Sequence, residues 1–323
     1  MSSLAVSDSE YRAATEHCGL VDRSDRGKLA LTGSQAKTFL QGQVSNDVEA
    51  LAAGHGCYAA FLTPKGKMLG DVRILDTGEE LLLDTERVAL QELFNMIRRF
   101  SLGYDVQLHK RTLQQGLLSL LGPDAAAVAG VDGLDGLDGL DGGEDSHAAS
   151  HVGQIAVRAV RTDLGVDLFC DAADTDGLQA ALEARGAQPV SEAVAECVRV
   201  EHGRPRYGID LDDSVIPQEA DLNHRAVSFT KGCYVGQETV ARLYYRGKPN
   251  RRLLGIRLSA PVETGAEITL GDRVVGRLGS VADSPVLGSI ALALVRREAS
   301  PGSEVTVGPD ETGAVVVELP FAA

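Results

Sequence analysis

The sequence predicts an α+β protein that ends in a small β-barrel or sandwich. Up to residue 248, short apolar strands alternate with a few helices, a pattern typical of sheets with antiparallel pairs. After Pro249 the chain becomes a series of short strands separated by turn signals such as Gly271-Asp272 and Ser300-Pro301-Gly302. We therefore predict a core at 1–248 and a separate β-domain at 249–323.

Composition limits the possible functions. The 323 residues carry a formal net charge of −15, which argues against DNA binding. The five scattered cysteines form no C-x-x-C pair, so we expect neither a disulfide framework nor a self-contained zinc site. The N-terminal residues lack the features of a signal peptide, and no apolar run reaches the ~18 residues of a membrane span. We expect a cytoplasmic protein that binds no metal and no membrane.

The first 121 residues contain the signals of a helix-flanked sheet. Apolar residues at helical spacing within 86–99 predict an amphipathic helix, and Arg98-Arg99 suit the negative end of its dipole. The predicted elements are a helix at 10–20, strands at 28–33, 56–62, 68–75 and 80–84, the helix at 86–99, and strands at 104–108 and 113–121.

A low-complexity segment follows. The triplet Leu-Asp-Gly occurs three times within 134–142, and Glu144 and Asp145 add further negative charge. Absence of proline argues against a collagen-like helix, and the segment lacks the calcium-binding nonapeptide pattern. We predict a disordered acidic insert at about 130–150.

The pattern of strands and helices resumes after this segment. Strands are predicted at 154–160 and 164–170, and helices at 174–185 and 191–201. Cys197 and Glu201 share one face of the second helix because they are four residues apart. The long irregular stretch at 203–221 includes Tyr207, and such stretches in compact domains tend to be functional.

A basic segment with a single cysteine interrupts this acidic chain. Between residues 225 and 252 the only acid is Glu238. The cations are Arg225, Lys231, Arg242, Arg246, Lys248, Arg251 and Arg252. A local positive surface of this kind can bind an anion or an acidic protein, and RNA is an open alternative without further support. Nearby cations such as Lys231 lower the pKa of a thiol, so Cys233 is a candidate reactive thiolate or metal ligand.

Residues 231–238, Lys-Gly-Cys-Tyr-Val-Gly-Gln-Glu, resemble the signature of the YgfZ family of folate-binding proteins. That family is related to the T-protein (aminomethyltransferase) of the glycine cleavage system. Weaker matches lie at Pro64-Lys65-Gly66-Lys67 and at Glu201-x-Gly203-x-Pro205. The resemblance implies a T-protein-like folate-binding core of two α+β parts, followed by a C-terminal β-barrel. It also implies bound tetrahydrofolate, or a one-carbon-substituted folate, and iron–sulfur client or assembly proteins as partners.

The resemblance further implies roles for individual residues. Glu201 would hold the pterin, whose N–H groups can donate paired hydrogen bonds to a carboxylate. Arg242 and Arg246 are candidates for the anionic glutamate tail of the folate, although either could instead pair with Asp210 or Asp212. Asp71 loosely matches an acid that assists methylene transfer. Arg26 and Tyr207 complete the candidate folate contacts.

Two family functions remain open at this stage. In the first, the chain is an accessory factor for iron–sulfur protein assembly or maintenance, and Cys233 acts with Lys231 beside it. One cysteine cannot hold a cluster alone, so contact with a cluster would be transient or shared with a partner. In the second, the chain is a folate-dependent aminomethyltransferase that uses Glu201 and Asp71. Aminomethyl transfer needs no thiol, so the role of Cys233 separates the two, and enzyme activity is undecided.

Overall fold

The computed structural model describes residues 6–131 and 143–321. Within them lie two open sheets with flanking helices and one closed six-stranded barrel. The predicted α+β architecture with a C-terminal barrel is therefore confirmed. No helix among the described residues is long and apolar enough to span a bilayer.

The elements of the first half alternate between strands and short helices. In chain order they are α1 (Asp8–Glu16), β1 (Gly19–Asp22), β2 (Gly27–Thr32), α2 (Ala36–Gln41), β3 (His55–Leu62), β4 (Met68–Asp76), β5 (Leu81–Thr85), α3 (Leu90–Phe100), β6 (Gln107–Lys110), β7 (Gln115–Leu121) and α4 (Ala125–Ala129).

The second half continues this pattern and then forms the barrel. Its elements are β8 (His147–Val152), β9 (Ile155–Arg161), β10 (Gly165–Asp171), a 3₁₀ turn (Ala172–Asp174), α5 (Thr175–Ala184), β11 (Gln188–Pro189), α6 (Glu192–Glu201), α7 (Asn223–Ala226), α8 (Gln237–Arg246), β12 (Arg251–Leu258), β13 (Glu267–Leu270), β14 (Arg273–Ser284), β15 (Gly288–Arg296), β16 (Glu304–Val307) and β17 (Thr312–Val317).

The chain crosses from one open sheet to the other and back. The first sheet has the order β3-β4-β5-β2-β6, and the second has the order β11-β1-β7-β10-β9-β8. Although β1 and β2 are consecutive in the sequence, they belong to different sheets. Buried side chains from both sheets, including Leu75, Leu117 and Phe169, form a small shared cluster. This contact holds the two α+β parts face to face.

The barrel is attached to the rest of the protein through α1 and α6. Val198 of α6 and Tyr11 of α1 share a buried cluster with Leu253 and Leu292 of the barrel strands. Burial of a side chain such as leucine or valine contributes about 1.5–3 kcal/mol. The apolar face of α6 therefore fixes the turn at 203–205 between the barrel and the open sheets.

Several predicted boundaries differ from those observed. The first helix ends at Glu16 instead of residue 20, because Gly19–Asp22 pair with β7 as a strand. The helix predicted at 86–99 begins at Leu90. The predicted acidic insert lies partly outside the described residues, at 132–142. Its predicted end was wrong, since His147–Val152 form a strand that pairs along its whole length with β9.

Candidate functional site

A polar cleft lies between the two open sheets, next to the turn at residues 203–205. Charged side chains dominate its lining, with seven arginines and seven carboxylates among the described residues. The arginines are Arg23, Arg26, Arg73, Arg199, Arg204, Arg206 and Arg225, and the carboxylates are Asp71, Asp84, Glu86, Glu144, Asp145, Asp163 and Asp167. Such a lining suits a polar ligand with N–H donors and an anionic group.

Asp71 reaches the cleft from β4. Because alternate residues of a strand point to opposite faces, Asp71 and Arg73 line the cleft while Gly70 faces α3, where a Cβ would lie 3.1 Å from Ala89. Asp71 is 6% exposed and accepts a hydrogen bond of 2.6 Å from the Tyr58 hydroxyl. Burial raises the pKa of Asp71 to about 6, against the lowering effect of this hydrogen bond. Asp71 is thus a protonatable carboxyl in the cleft.

Arg26 belongs to an ion-pair network that forms the floor of the cleft. Its Nε donates to Asp84 at 2.8 Å, and its Nη1 pairs with Glu86. Asp84 also accepts from Arg73 at 2.9 Å, and Arg73 reaches Asp167 at 2.7 Å. Burial alone would raise the pKa of Asp84, but the two arginines lower it below its ordinary value. The structure therefore brings Arg26 to the cleft with its charge already neutralised by acids.

Asp145 and Glu144 line the cleft and were missed as site residues in the sequence. Asp145 is 5% exposed, and burial raises its pKa to about 7. Within the described ranges no hydrogen-bond donor reaches its carboxylate, although its backbone N–H donates to Arg161 at 3.0 Å. Glu144 pairs with Arg225, whose guanidinium lies 5.1 Å from the centre of the Tyr58 ring. The only sequence signal was an acidic pair at the end of a low-complexity segment.

Glu201 lies away from the residues that line this cleft. It is 5% exposed, and its two carboxylate oxygens accept the Tyr11 hydroxyl at 3.0 and 2.9 Å. Cys197, one turn earlier on α6, places its Sγ 3.6 Å from the same carboxylate. This shared face of α6 packs on α1, whereas Arg199 on the other face lines the cleft. The structure thus does not bring the predicted pterin anchor to the cleft.

Tyr207 is likewise buried outside the cleft lining. It is 9% exposed and packs in the core of the first sheet, where burial raises its pKa to about 12. Asp210, three residues later, accepts Arg199 at 3.1 Å and the Ser280 hydroxyl at 2.8 Å. These contacts fix the irregular stretch after α6 against the barrel. Asp210 thus pairs with Arg199 and not with Arg242 or Arg246, the arginines of α8.

Lys231 lies outside the cleft lining, and its ammonium group faces the backbone. Its Nζ donates hydrogen bonds to the backbone carbonyls of Gln41, Val44 and Asn46 at 2.7, 2.8 and 2.7 Å. These three acceptors use all three N–H groups of the ammonium. Burial lowers the pKa of Lys231 to about 8, so it still carries its proton at neutral pH. Lys231 therefore holds a turn together, and its action on Cys233 stays a prediction.

Cys233 is the exposed member of the five free cysteines. It lies in the loop before α8, and a Cβ on the neighbouring Gly232 would meet only open space. Among the described residues, no group of three or more His, Cys, Asp or Glu side chains is placed to hold a metal ion. A metal-bound partner could still approach this thiol from solvent.

Arg242 and Arg246 lie on α8, outside the cleft lining. Both are exposed, and the ion pairs found in the described part of the chain involve neither. The other cations of the basic segment are dispersed: Arg225 pairs with Glu144, and Arg251 pairs with Glu219 at 3.0 Å. The local positive surface predicted from the sequence is therefore narrowed to the exposed Arg242 and Arg246 of α8 and Lys248 just after it.

Comparison with known proteins places these features in a family. Residues 2–231 match the model of the GCVT N-terminal domain, and residues 251–322 match the C-terminal barrel domain of the glycine cleavage T-protein. An Arabidopsis thaliana protein named as a chloroplastic transferase is 30% identical over 94% of this chain and 71% of its own length. An aminomethyltransferase of Rubrobacter xylanophilus is 28% identical over 97% of this chain and 85% of its own length.

A solved structure shows the same fold. The glycine cleavage system aminomethyltransferase T from Bartonella henselae superposes with a TM-score of 0.86, covering 97% of this chain and 89% of its own, at 23% identity. The T-protein relationship expected from the sequence is confirmed by both family models. The chain therefore belongs to the glycine cleavage T-protein family.

Proposed function

We propose that this chain binds tetrahydrofolate, or a one-carbon-substituted folate, in the polar cleft. The observation that carries the proposal is Asp145, a residue that is 5% exposed, lines the cleft and makes no side-chain hydrogen bond among the described residues. A carboxylate in the wall of a cleft can accept hydrogen bonds from a ligand. The amino and ring N–H groups of a pterin are partners of the required kind.

Asp71 and Tyr58 provide the second polar contact of the proposed site. The hydroxyl of Tyr58 donates to Asp71 at 2.6 Å, and Arg225 lies over the Tyr58 ring. Since burial raises the pKa of Asp71 to about 6, this carboxyl is placed to accept or return a proton near neutral pH. In the proposed complex it would face the reduced, nitrogen-bearing part of the folate ring.

We further propose that the folate-bound chain is an accessory factor for the assembly or maintenance of iron–sulfur proteins. The signature at 231–238 and the exposure of Cys233 support this role. The thiol lies in a surface loop beside Val235, which is 36% exposed, and α8 adds the exposed Tyr245. A partner protein can therefore reach Cys233 without entering the cleft, which suits a transient contact with a cluster or persulfide.

Substitution of Cys233 tests this role. In a strain that lacks the native protein, we expect Cys233→Ala to lose restoration of iron–sulfur enzyme activities while the protein accumulates normally. Lys248→Ala, an exposed residue of the same basic segment outside the signature, is the control and should restore them. Full restoration by Cys233→Ala would contradict the role of the thiol.

A folate-dependent aminomethyltransferase is the second candidate, because the structure brings Asp71 to the cleft. The two candidates respond differently to the same substitutions. A transferase should lose glycine cleavage on Asp71→Asn and be unaffected by Cys233→Ala, when the purified chain is mixed with the remaining components of that system. Absence of any such activity in the unsubstituted chain would dismiss this candidate.

We also propose a cytoplasmic location for the protein. All five cysteines are free thiols in the structure, which fits a reducing compartment. Iron–sulfur client or assembly proteins are the proposed macromolecular partners, and the folate is the proposed small-molecule ligand.

A further inference from the structure

The pair between Arg225 and Glu144 lies in the cleft itself. Both residues line it, and two nitrogens of the guanidinium face the two carboxylate oxygens of Glu144, with Nε–Oε2 at 3.3 Å. Paired contact of this kind is the geometry in which arginine binds a carboxylate of a ligand. The side chains are 25% and 33% exposed, so the pair is open to solvent.

The backbone around Arg225 is held rigidly. The Asn46 side-chain amide donates to the carbonyl of Arg225 at 3.0 Å and to that of Tyr58 at 2.8 Å. The Ser45 hydroxyl donates to the next carbonyl, that of Ala226, at 2.5 Å. The guanidinium also lies over the Tyr58 ring. Arg225 is thus a preorganised cation, fixed from behind by the turn that Lys231 stabilises.

Glu144 lacks comparable support. Its carboxylate contacts Arg225 alone among the described residues, and the neighbouring Asp145 anchors the chain through its backbone to Arg161. Within the described part of the chain, rotation of the Glu144 side chain into solvent would therefore break only its contact with Arg225. Arg225 is thus fixed by the fold, whereas the Glu144 side chain paired with it can rotate away.

The small volume of the cleft also indicates that a side chain such as Glu144 must move when a ligand binds. Its volume is about 180 Å³. Sites that enclose drug-sized ligands usually measure roughly 300–1,000 Å³. A ligand of the size of a folate therefore needs side chains in the cleft to move, and the Glu144 side chain, 33% exposed, has solvent to move into.

We propose that Arg225 is the receptor for the anionic tail of the ligand and that Glu144 is an internal competitor for it. This inference rests on the proposed folate function and adds to it a competitor supplied by the chain itself. A carboxylate-bearing ligand displaces Glu144 and takes its place on the guanidinium. A pterin without an anionic tail gains nothing from that exchange. Glu144 thereby lowers the affinity for tailed ligands.

The expected change in ligand affinity follows from the solvent exposure of the Arg225–Glu144 pair. Partly exposed ion pairs correspond to factors of roughly two to five in an equilibrium constant. We therefore expect Glu144→Gln, which keeps the side-chain volume and removes the charge, to bind tetrahydrofolate about two- to fivefold more tightly than the unsubstituted chain. Its affinity for tetrahydropterin, which has no glutamate tail, should not change.

The experiment is an anaerobic calorimetric titration of the full chain with both ligands. Glu318→Gln is the matched control, because it removes the same charge from an exposed pair with Arg252 on the barrel. The doubly substituted Glu144→Gln/Arg225→Gln chain should bind tetrahydrofolate as weakly as Arg225→Gln alone, since the competitor acts only through Arg225.

The titrations test the competitor role of Glu144, the receptor role of Arg225 and the folate proposal separately. Equal or weaker binding of tetrahydrofolate by Glu144→Gln would overturn the competitor role while leaving the folate proposal intact. A gain that persists without Arg225, or that also appears with tetrahydropterin, would overturn the assignment of the receptor. Absence of binding by every chain would overturn the folate proposal together with this inference.

Discussion

Two carboxyl groups in the cleft hold their protons unusually strongly. Burial raises the pKa of Asp71 to about 6 and that of Asp145 to about 7. An aspartate in an unfolded chain titrates near 3.9. Between these values the native protein binds protons that the unfolded chain has released, so ionisation of either group costs stability as the pH rises.

This difference predicts how Asp145→Asn changes the pH dependence of stability. In the unsubstituted chain the Asp145 contribution to the free energy of unfolding falls as the pH rises from about 4 to 7. Asparagine cannot ionise and tolerates the positive φ of 71° at this position. The variant should therefore gain stability relative to the unsubstituted chain across that window, by about 2–4 kcal/mol in total.

Urea unfolding at pH 4, 5.5, 7 and 8 measures this gain. Asp283→Asn on the barrel, outside the cleft lining, is the control for removal of a carboxylate. A constant difference between Asp145→Asn and the unsubstituted chain across the series would show that Asp145 ionises as easily in the folded protein as in the unfolded one.

At the scale of elements, the turn after α2 is organised from a distant part of the chain. Lys231 caps the carbonyls of Gln41, Val44 and Asn46. A cation near the last carbonyls of a helix is favourable, and these carbonyls would otherwise be buried without a donor. The same turn supplies Asn46, which fixes the backbone of Arg225. One buried lysine thus links the signature segment to the cleft.

Removal of this ammonium should destabilise the fold. We expect Lys231→Met to lower the free energy of unfolding by about 2–4 kcal/mol, because three carbonyls lose a charged donor. Lys248→Met, an exposed cation of the same segment, should change it by no more than about 0.5 kcal/mol. Urea unfolding measures both variants.

The same variant separates a structural from a catalytic lysine. The rate at which Cys233 reacts with a thiol reagent should remain close to that of the unsubstituted chain, since all donors of Lys231 are used by carbonyls. A large loss of thiol reactivity without loss of stability would restore the role predicted from the sequence.

The elements themselves were largely predictable from local patterns. The strands within 56–84 and the helix after Ser191 were predicted to within a few residues, because their apolar spacing is regular. The strand at His147–Val152 was hidden, since its sequence, His-Ala-Ala-Ser-His-Val, carries few strand-forming residues. Its conformation depends on pairing with β9, a tertiary contact that local pattern does not report.

At the scale of the whole molecule, the cleft is assembled from segments far apart in the sequence. Its lining runs from Arg23 to Arg225 and draws on both open sheets, the turn after α6 and the short helix α7. Family resemblance was sufficient to predict the fold and to select Arg26 and Asp71. It did not identify Asp145 or Arg225, whose positions in the cleft arise from the way the two sheets face each other.

The neighbours of Glu201 in the folded protein were also not predictable from the sequence. Its spacing from Cys197 correctly predicted a shared helix face, but the sequence did not show which neighbour that face meets. In the folded protein the neighbour is Tyr11 of α1, which donates to both carboxylate oxygens. The cleft and the buried end of α6 are consequently separate polar sites within one molecule.

Titration of tetrahydrofolate into three chains tests the central claim most directly: the unsubstituted chain, Asp145→Asn and Glu201→Gln. Loss of a charge-assisted hydrogen bond costs about 1.5–3 kcal/mol, or roughly 10- to 150-fold in affinity. We predict that the unsubstituted chain binds, that Asp145→Asn binds at least tenfold more weakly, and that Glu201→Gln stays within about twofold. Absence of binding, or weakening by Glu201→Gln alone, would contradict the assignment of the folate site to this cleft.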